Sequence, residues 1–529
     1  MLYFIPAWYQ THKWCENEQA WQSRRMNSEF DDTVKQIQLF HRSNEYPYRI
    51  LLLSYAPNLR HFLHRQSVYH APCWSCFDSI QEIRRKMAVP VSMHDLAWPE
   101  GIEFLNTPFV VVAMLHGERY AVVEFGEDGN MIWIEMYKEN QVCRRNIYDD
   151  RGFVSSTIIY RDGKPVYQDY LMENGKWKIR VFEKDGHVEV NPEYPTYFLD
   201  VANRKLTSRF LKLRYDSIEE VLKEVFCAYI QHTGASDIFC IAMHEQHAAF
   251  LEQILMKRRT ILSFYMDRYD PAKHPQAMRM MLKADYIITD SKEETNRFLE
   301  LDDRLLMKIT DISPYDTRVD FGISQQLSVQ NILVPVDNLS DQEFNRIMVI
   351  LGFYLQKNSR ARVCLLTRNA MYDRPRRLVE QARMCIRSAG LEENWVSERV
   401  DTGRTENMVD REVPVRIYVE QCVDELTVSR CMKEQRLIVD LREVPELYIQ
   451  ITAISMGIPQ IVRTETQYVV NGENGIVLKE LGQLSEALEH YLRGLENWNR
   501  AMVACYELGR NFTTDVLIDK WKEVLGFVG

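Results

Sequence analysis

None of the chain's 21 glycines lies in residues 1–100. A loop that cradles phosphate after a first strand needs glycine for close backbone approach, so "IPAWYQTHKWCE" offers bulk where such a loop would offer room. Long apolar runs are missing too. The longest, "IMVILGFYL" from Ile347, has nine residues, about half of what a membrane span requires. The start, "MLYFIPAWYQTHKW", has no basic stretch ahead of its brief apolar run and is not expected to be a secretory signal. A basic excess is absent: the formal net charge is -10, which argues against broad nucleic-acid binding. A disulfide framework is not indicated either. The eleven cysteines are odd in number, scattered and mostly set in apolar segments, as buried free thiols of a reducing compartment are. A cytoplasmic location is the expectation.

With 529 residues the chain exceeds one hydrophobic core, so two or three domains are expected. Residues 1–100 read as α/β. "LYFIPA" is an apolar strand, and "RILLLSY" reads as a buried parallel one. "EFDDTVKQIQLFHRS" is a helix with Val34, Ile37 and Phe40 at helical spacing and with Asp31 and Asp32 near its positive end. Near residue 108 the period changes to two. Alternating strands follow, broken at "EDGN", "RDGK", "ENGK" and "KDGH". Asn-Gly and Asp-Gly between alternating runs mark hairpins, because both residues tolerate positive φ. The α/β rhythm returns near 205, where Ser291 and Glu294 form a capping-box pattern. A second α/β unit begins near 325, with strands "NILVPV", "ARVCLLT", "VRIYVE", "RLIVDL" and "PQIVRT" separated by helices. Strands so separated imply right-handed crossovers and a parallel sheet. The expected division is 1–107 with 201–324, an inserted sheet at 108–200, a second unit at 325–510, and an end helix at 511–529.

Four local features invite a chemical reading. Cys73 and Cys76 form a lone C-x-x-C, which redox chemistry needs at a strand-to-helix junction; "YHAP" before it does not suggest one. His244 and His247 are three apart, one short of the spacing of a zinc protease helix, so ordinary helix-start residues are expected. Trp8, Tyr9, Trp14 and Trp21 follow the first strand; they fit either a platform for a partner or glycan, or a core around a long loop. Lys357, Arg360, Arg362, Arg368, Arg374, Arg376 and Arg377 cluster in an acidic chain, as an anionic-membrane patch would, or as a solvated face.

"KADYIITDSKEETNRFL" from Lys283 and "MGIPQIVRTETQYVVNGENGIVL" from Met456 resemble the strand–helix segments of the GT-B glycosyltransferase fold. "TTDVLIDKWKEVL" from Thr513 is similar to the helix with which that fold crosses back to its first domain. The inserted meander resembles the extended β-sheet domain of adhesin-modifying and teichoic-acid glucosyltransferases. More narrowly, "YFIPAWYQ", "EFDDTVKQIQLF" and "LLLSYAPNLRHFLHRQ" resemble the first of the three Asp proteins of the accessory Sec system, which assists export of serine-rich adhesins. The implied fold class is α/β, GT-B-like, with two Rossmann-like domains and an inserted antiparallel β-sheet domain.

That resemblance locates a donor site and shows it altered. Retaining members hold ribose and sugar with two glutamates. Aligned on Gly457 and Pro459, these fall on Val444 and Thr452. The arginine and lysine that grip the donor diphosphate fall on Asn338 and Glu343. At ~4 Å and an effective dielectric of ~20, one misplaced unit charge costs about 4 kcal/mol. No catalytic residue, metal ligand or cofactor is therefore expected. The leading reading is a non-catalytic component of accessory Sec export. Its implied partners are the other two Asp proteins, the accessory SecA motor ATPase, the glycosylated serine-rich adhesin and an anionic membrane surface, with no nucleic acid. The alternative is an active retaining glycosyltransferase acting on a surface glycoprotein or a teichoic-acid-like acceptor.

Overall fold

A computed structural model describes residues 1–9, 14, 20, 32–126, 128–199, 206–266, 268–398 and 415–529. Two parallel seven-stranded sheets and one long antiparallel sheet organise them.

The first parallel sheet begins with Leu2–Ile5, an interior strand. Tyr48–Leu52 and Cys73–Ser75 extend it on one side. Ile238–Ala242, Arg259–Ser263, Tyr286–Thr289 and Ile309–Asp311 extend it on the other. Successive side chains of a strand point to opposite faces. Leu2 and Phe4 therefore join one core with the helix Asp32–Ser43, while Tyr3 and Ile5 join the other with the helices Ile218–Ile230, Glu245–Leu255 and Pro275–Lys283. Both faces are covered, which is why these strands read as continuous apolar runs.

The second parallel sheet has the order Val396–Ser397, Ile417–Gln421, Ala361–Thr367, Gln330–Pro335, Gln435–Asp440, Gln460–Val462, Gly475–Val477. Its direction of growth reverses between Gln330–Pro335 and Gln435–Asp440. The crevice at such a reversal is where ligands of open α/β sheets bind. In the first sheet the same reversal lies between Leu2–Ile5 and Ile238–Ala242.

Between the first three strands of the first sheet and the rest, the chain forms a ten-stranded antiparallel sheet from Ile102–Asn106 to Arg214–Tyr215. Its strands thus extend beyond 108–200 at both ends. The turns are where Asp-Gly and Asn-Gly stand, with Gly163 at φ +71° and Gly175 at φ +79°. The sheet is tied to the first unit by buried polar groups. Gln81 Nε2 donates to the carbonyls of Ser155 (2.7 Å) and Leu171 (2.6 Å). Arg151, fully buried, is held by Asp149 and Asp78 at 2.6–2.8 Å.

The last helix, Thr514–Val528, lies on the first unit. Leu517, Trp521 and Leu525 enter the core of Leu2 and Phe4, and the Trp521 ring meets Phe40 edge-on at 5.2 Å. Val516, which shares their periodicity, is instead 37% exposed. Ser291 caps the helix Lys292–Leu301 as its sequence suggests.

Candidate functional site

The carboxyl edge of the second sheet is a ring of charges. Asp337, just past the strand Gln330–Pro335, accepts from Thr367 Oγ1 (2.7 Å) and from the Arg368 backbone N–H (2.5 Å). Arg374 stands 3.5 Å from it. Asp440, at the end of its strand and 1% exposed, accepts from Arg442 Nε (2.8 Å) and Nη2 (2.6 Å). Glu446, at the start of the helix Leu447–Met456, lies 3.3 Å from Arg368 and 4.0 Å from Arg442. Burial raises the Glu446 pKa, against the pull of Arg368 and then Arg442. Burial also opposes the Arg442 charge, but Asp440 and then Glu446 outweigh it and raise that pKa. Three guanidiniums thus face three carboxylates. A diphosphate drawing on these three guanidiniums would have to break internal pairs.

The four positions onto which the resemblance places donor contacts, Asn338, Glu343, Val444 and Thr452, all lie in the second unit. Asn338 adopts left-handed backbone at φ +66°, a conformation its short polar side chain tolerates. Glu343 is the third residue of the helix Asp341–Lys357 and closes a reciprocal capping box with Ser340, each side chain accepting the other's backbone N–H at 3.2 Å. Its second oxygen takes Arg463 Nη1 at 2.7 Å. The Ser340 hydroxyl and backbone, with Arg463, hold its pKa below the usual carboxylate value. Val444 is 68% exposed, on the loop before the helix. Thr452 is buried in that helix and lines a cavity of about 460 Å³ between the two units, with Lys35, Arg42, Tyr315, Glu425 and Tyr448. The structure therefore brings Asn338, Glu343 and the charged ring to one sheet edge, and sets Thr452 towards the interdomain cavity.

At the reversal of the first sheet, rings fill the space. Trp8 packs edge-on against Phe62 at 4.8 Å and is buried. Tyr9 meets Trp14 at 5.3 Å, and Trp14, also buried, meets Phe250 at 5.9 Å. Trp8 and Trp14 are core packing rather than a solvent-facing platform, and Tyr9 is half-buried beside them. Trp21 lies outside the described residues. His247 is fully buried, with Nε2 on the Ala242 carbonyl and Nδ1 3.0 Å from the Tyr9 hydroxyl. A carbonyl only accepts, so Nε2 carries the proton and Nδ1 accepts from Tyr9. Burial, with His244 nearby, lowers the His247 pKa to about 3, so it is neutral at pH 7. His244 caps the helix Glu245–Leu255 through the Gln246 N–H. Among the described residues, no group of three or more His, Cys, Asp and Glu is placed to hold a metal ion.

Two further expectations change. Cys73 and Cys76 do sit at a strand-to-helix junction, Cys73–Ser75 into Cys76–Gln81. Burial nonetheless pushes the Cys73 pKa up to about 12 and that of Cys76 well above the ordinary value. Neither is a thiolate at neutral pH, and redox chemistry has no nucleophile there. The basic cluster is not one patch. Lys357, Arg360 and Arg362 lie at the amino end of the strand Ala361–Thr367, whereas Arg374, Arg376 and Arg377 follow its carboxyl end. A seven-residue strand separates the groups by about 20 Å. Arg376 pairs with Glu380 (3.1 Å) and Arg377 with Asp373 (2.5 Å), and Arg362 is half-buried. No helix among the described residues is long and apolar enough to cross a membrane.

The profile of the family of Asp protein 1 of the accessory Sec system matches residues 1–526. The chain belongs to this family. A family member from Streptococcus gordonii is 32% identical, with 99% of each chain covered. Among solved structures, the chain is similar to the complex of accessory secretory proteins 1, 2 and 3 of Streptococcus pneumoniae, at 28% identity and a TM-score of 0.83, covering 100% of this chain and 99% of that one. It is also similar to the pneumococcal O-GlcNAc transferase GtfA, solved with UDP and GlcNAc, at 11% identity and a TM-score of 0.69, covering 100% and 98%. At that identity the likeness is one of fold, and the fold is GT-B-like.

Proposed function

We propose that this chain is a non-catalytic, GT-B-like component of the accessory Sec secretion system that assists export of glycosylated serine-rich adhesins through protein contacts. The observation that carries the non-catalytic part is the self-neutralised ring: Arg368, Arg374 and Arg442 are each held by a carboxylate of the same unit. Sugar transfer depends on stabilising a departing diphosphate, so cations already paired give the transition state no advantage. The solved complex of three accessory secretory proteins supports the other two Asp proteins as partners. In this reading the chain also meets the accessory SecA motor ATPase, the adhesin and the inner face of an anionic membrane, and works in the cytoplasm. In this reading the inserted sheet, expected at 108–200, takes in 102–215, within a first unit of 1–101 and 216–324, and is followed by 325–510 and the crossing helix 511–529.

Likeness to a UDP-bound transferase over the whole chain favours one competing reading, an active retaining glycosyltransferase. Titration calorimetry with UDP-glucose and UDP-N-acetylglucosamine separates the two. No binding tighter than about 100 µM, or about -5.5 kcal/mol, is expected. Tighter binding with sugar release would replace the proposal by the transferase. Co-purification with the other two Asp proteins tests the partner part independently.

A further inference from the structure

We infer that Tyr315, Tyr448 and Glu425 form an ammonium-binding cage in the cleft between the two Rossmann-like units, that Lys35 of the first unit fills it in cis, and that the filled cage pins the units in register. Lys35 projects from the helix Asp32–Ser43, and its side chain is 8% exposed. Its Nζ lies 2.6 Å from the Glu425 carboxylate, 5.5 Å from the Tyr315 ring centroid and 6.0 Å from that of Tyr448. A carboxylate with two ring faces around one cation is how proteins recognise ammonium groups.

The walls of the cage are held by hydrogen bonds that do not involve Lys35. Glu425 is the first residue of the helix Glu425–Met432, whose start is fixed by a reciprocal cap between Asp424 and Thr427. The Tyr448 hydroxyl bonds Ser429 Oγ at 2.9 Å and donates to the Glu425 carbonyl at 3.2 Å. The Tyr315 hydroxyl bonds that of Tyr265 at 2.9 Å, and the two cage rings are 5.6 Å apart. Seven residues after Lys35, on the same helix face, Arg42 reaches Asp316 at 2.8 Å.

The energetics favour register over stability. Burial lowers the Lys35 pKa even though Glu425 pulls the other way. The pair therefore does not recover the full cost of desolvating the ammonium, and a well-packed apolar pair would serve stability as well. What only the charged pair supplies is a penalty for other placements of the helix, because a displaced Lys35 would be a buried cation parted from Glu425. The inference does not depend on whether the chain is catalytic.

Hydrogen exchange on the full chain tests it, reading the helices Asp32–Ser43 and Glu425–Met432 against Pro275–Lys283 as an internal reference. Lys35→Ala and Glu425→Gln should each raise exchange in the two cleft helices about tenfold or more, leaving the reference unchanged. Added n-butylammonium should restore protection in Lys35→Ala with saturation, n-butanol should not, and neither should restore Glu425→Gln. Unchanged exchange in both variants, equal rescue by amine and alcohol, or equal loosening of the reference overturns the inference. Should Lys35→Ala fail to fold, the double variant Lys35→Met, Glu425→Leu decides. It should melt near the wild-type temperature yet lose protection at the cleft; wild-type protection overturns the inference.

Discussion

At the carboxyl edge of the second sheet, space is held by charge: Arg368, Arg374 and Arg442 against Glu446, Asp337 and Asp440. At the same edge of the first sheet, space is held by rings: Trp8, Tyr9 and Trp14, with a neutral His247 beneath them. Both units keep the topology that positions a ligand crevice, and the edges at those crevices are organised by different physics. Charge pairing leaves the groups of a binding site in place but engaged. Ring packing removes the volume itself.

The two modes should respond differently to substitution. The largest effect is expected from Asp440→Asn, which leaves Arg442 buried without its carboxylate. Unfolding by urea should show a loss of about 3–5 kcal/mol. The same variant gives the cleft one surplus cation, so UDP should bind more tightly than to wild type; unchanged affinity would mean that the pairing is not what excludes the diphosphate. On the ring side, Trp8→Ala should cost about 3 kcal/mol by leaving a cavity over Phe62, with no gain in UDP affinity. A gain there would erase the contrast between the two edges.

His247 gives the ring side a pH signature. Its pKa in the fold is about 3, chiefly through burial, against an ordinary 6.5. The unfolded chain takes up the proton as pH falls below 6.5 and the folded chain does not. The stability associated with neutral His247 is full above pH 6.5 and is lost as pH falls toward 3, at about 1.4 kcal/mol per unit, or about 2.7 kcal/mol by pH 4.5. Asp150 and Asp290, both pushed up to about 6 chiefly by burial, act in the opposite direction. The measurement is therefore the difference between wild type and His247→Gln in urea titrations at pH 7 and 4.5. The variant's curve should be flatter by that amount. The smallest effect belongs to Ser340→Ala, which should cost about 1 kcal/mol through the lost helix cap and leave UDP affinity unchanged.

Much of the scaffold was legible beforehand because it is written in short-range pattern. Strands such as Leu2–Ile5 are apolar throughout because both faces are covered, and the Asp-Gly and Asn-Gly turns fix where the meander folds. The structure adds a Ser340–Glu343 capping box, which gives Glu343 a role at the start of its helix. Other readings failed for reasons a linear pattern does not carry. Seven basic residues adjacent in sequence became two groups at opposite ends of a strand, since an extended strand moves the chain by about 3.3 Å per residue. The aromatic stretch after the first strand could have faced either way, and the fold turned Trp8 and Trp14 inward.

By itself the sequence determined the sheets, their parallel or antiparallel character and the family. Local periodicity and side-chain chemistry suffice for those. Only the tertiary structure decided that the remaining arginines are neutralised, that His247 is neutral and that Lys35 lies in a cage. Lys35 and Glu425 are 390 positions apart, and Tyr9 and His247 are 238 apart. No pattern along the chain signals such contacts: Lys35–Glu425 joins the two units, and Tyr9–His247 joins the segments that follow two neighbouring strands of the first sheet.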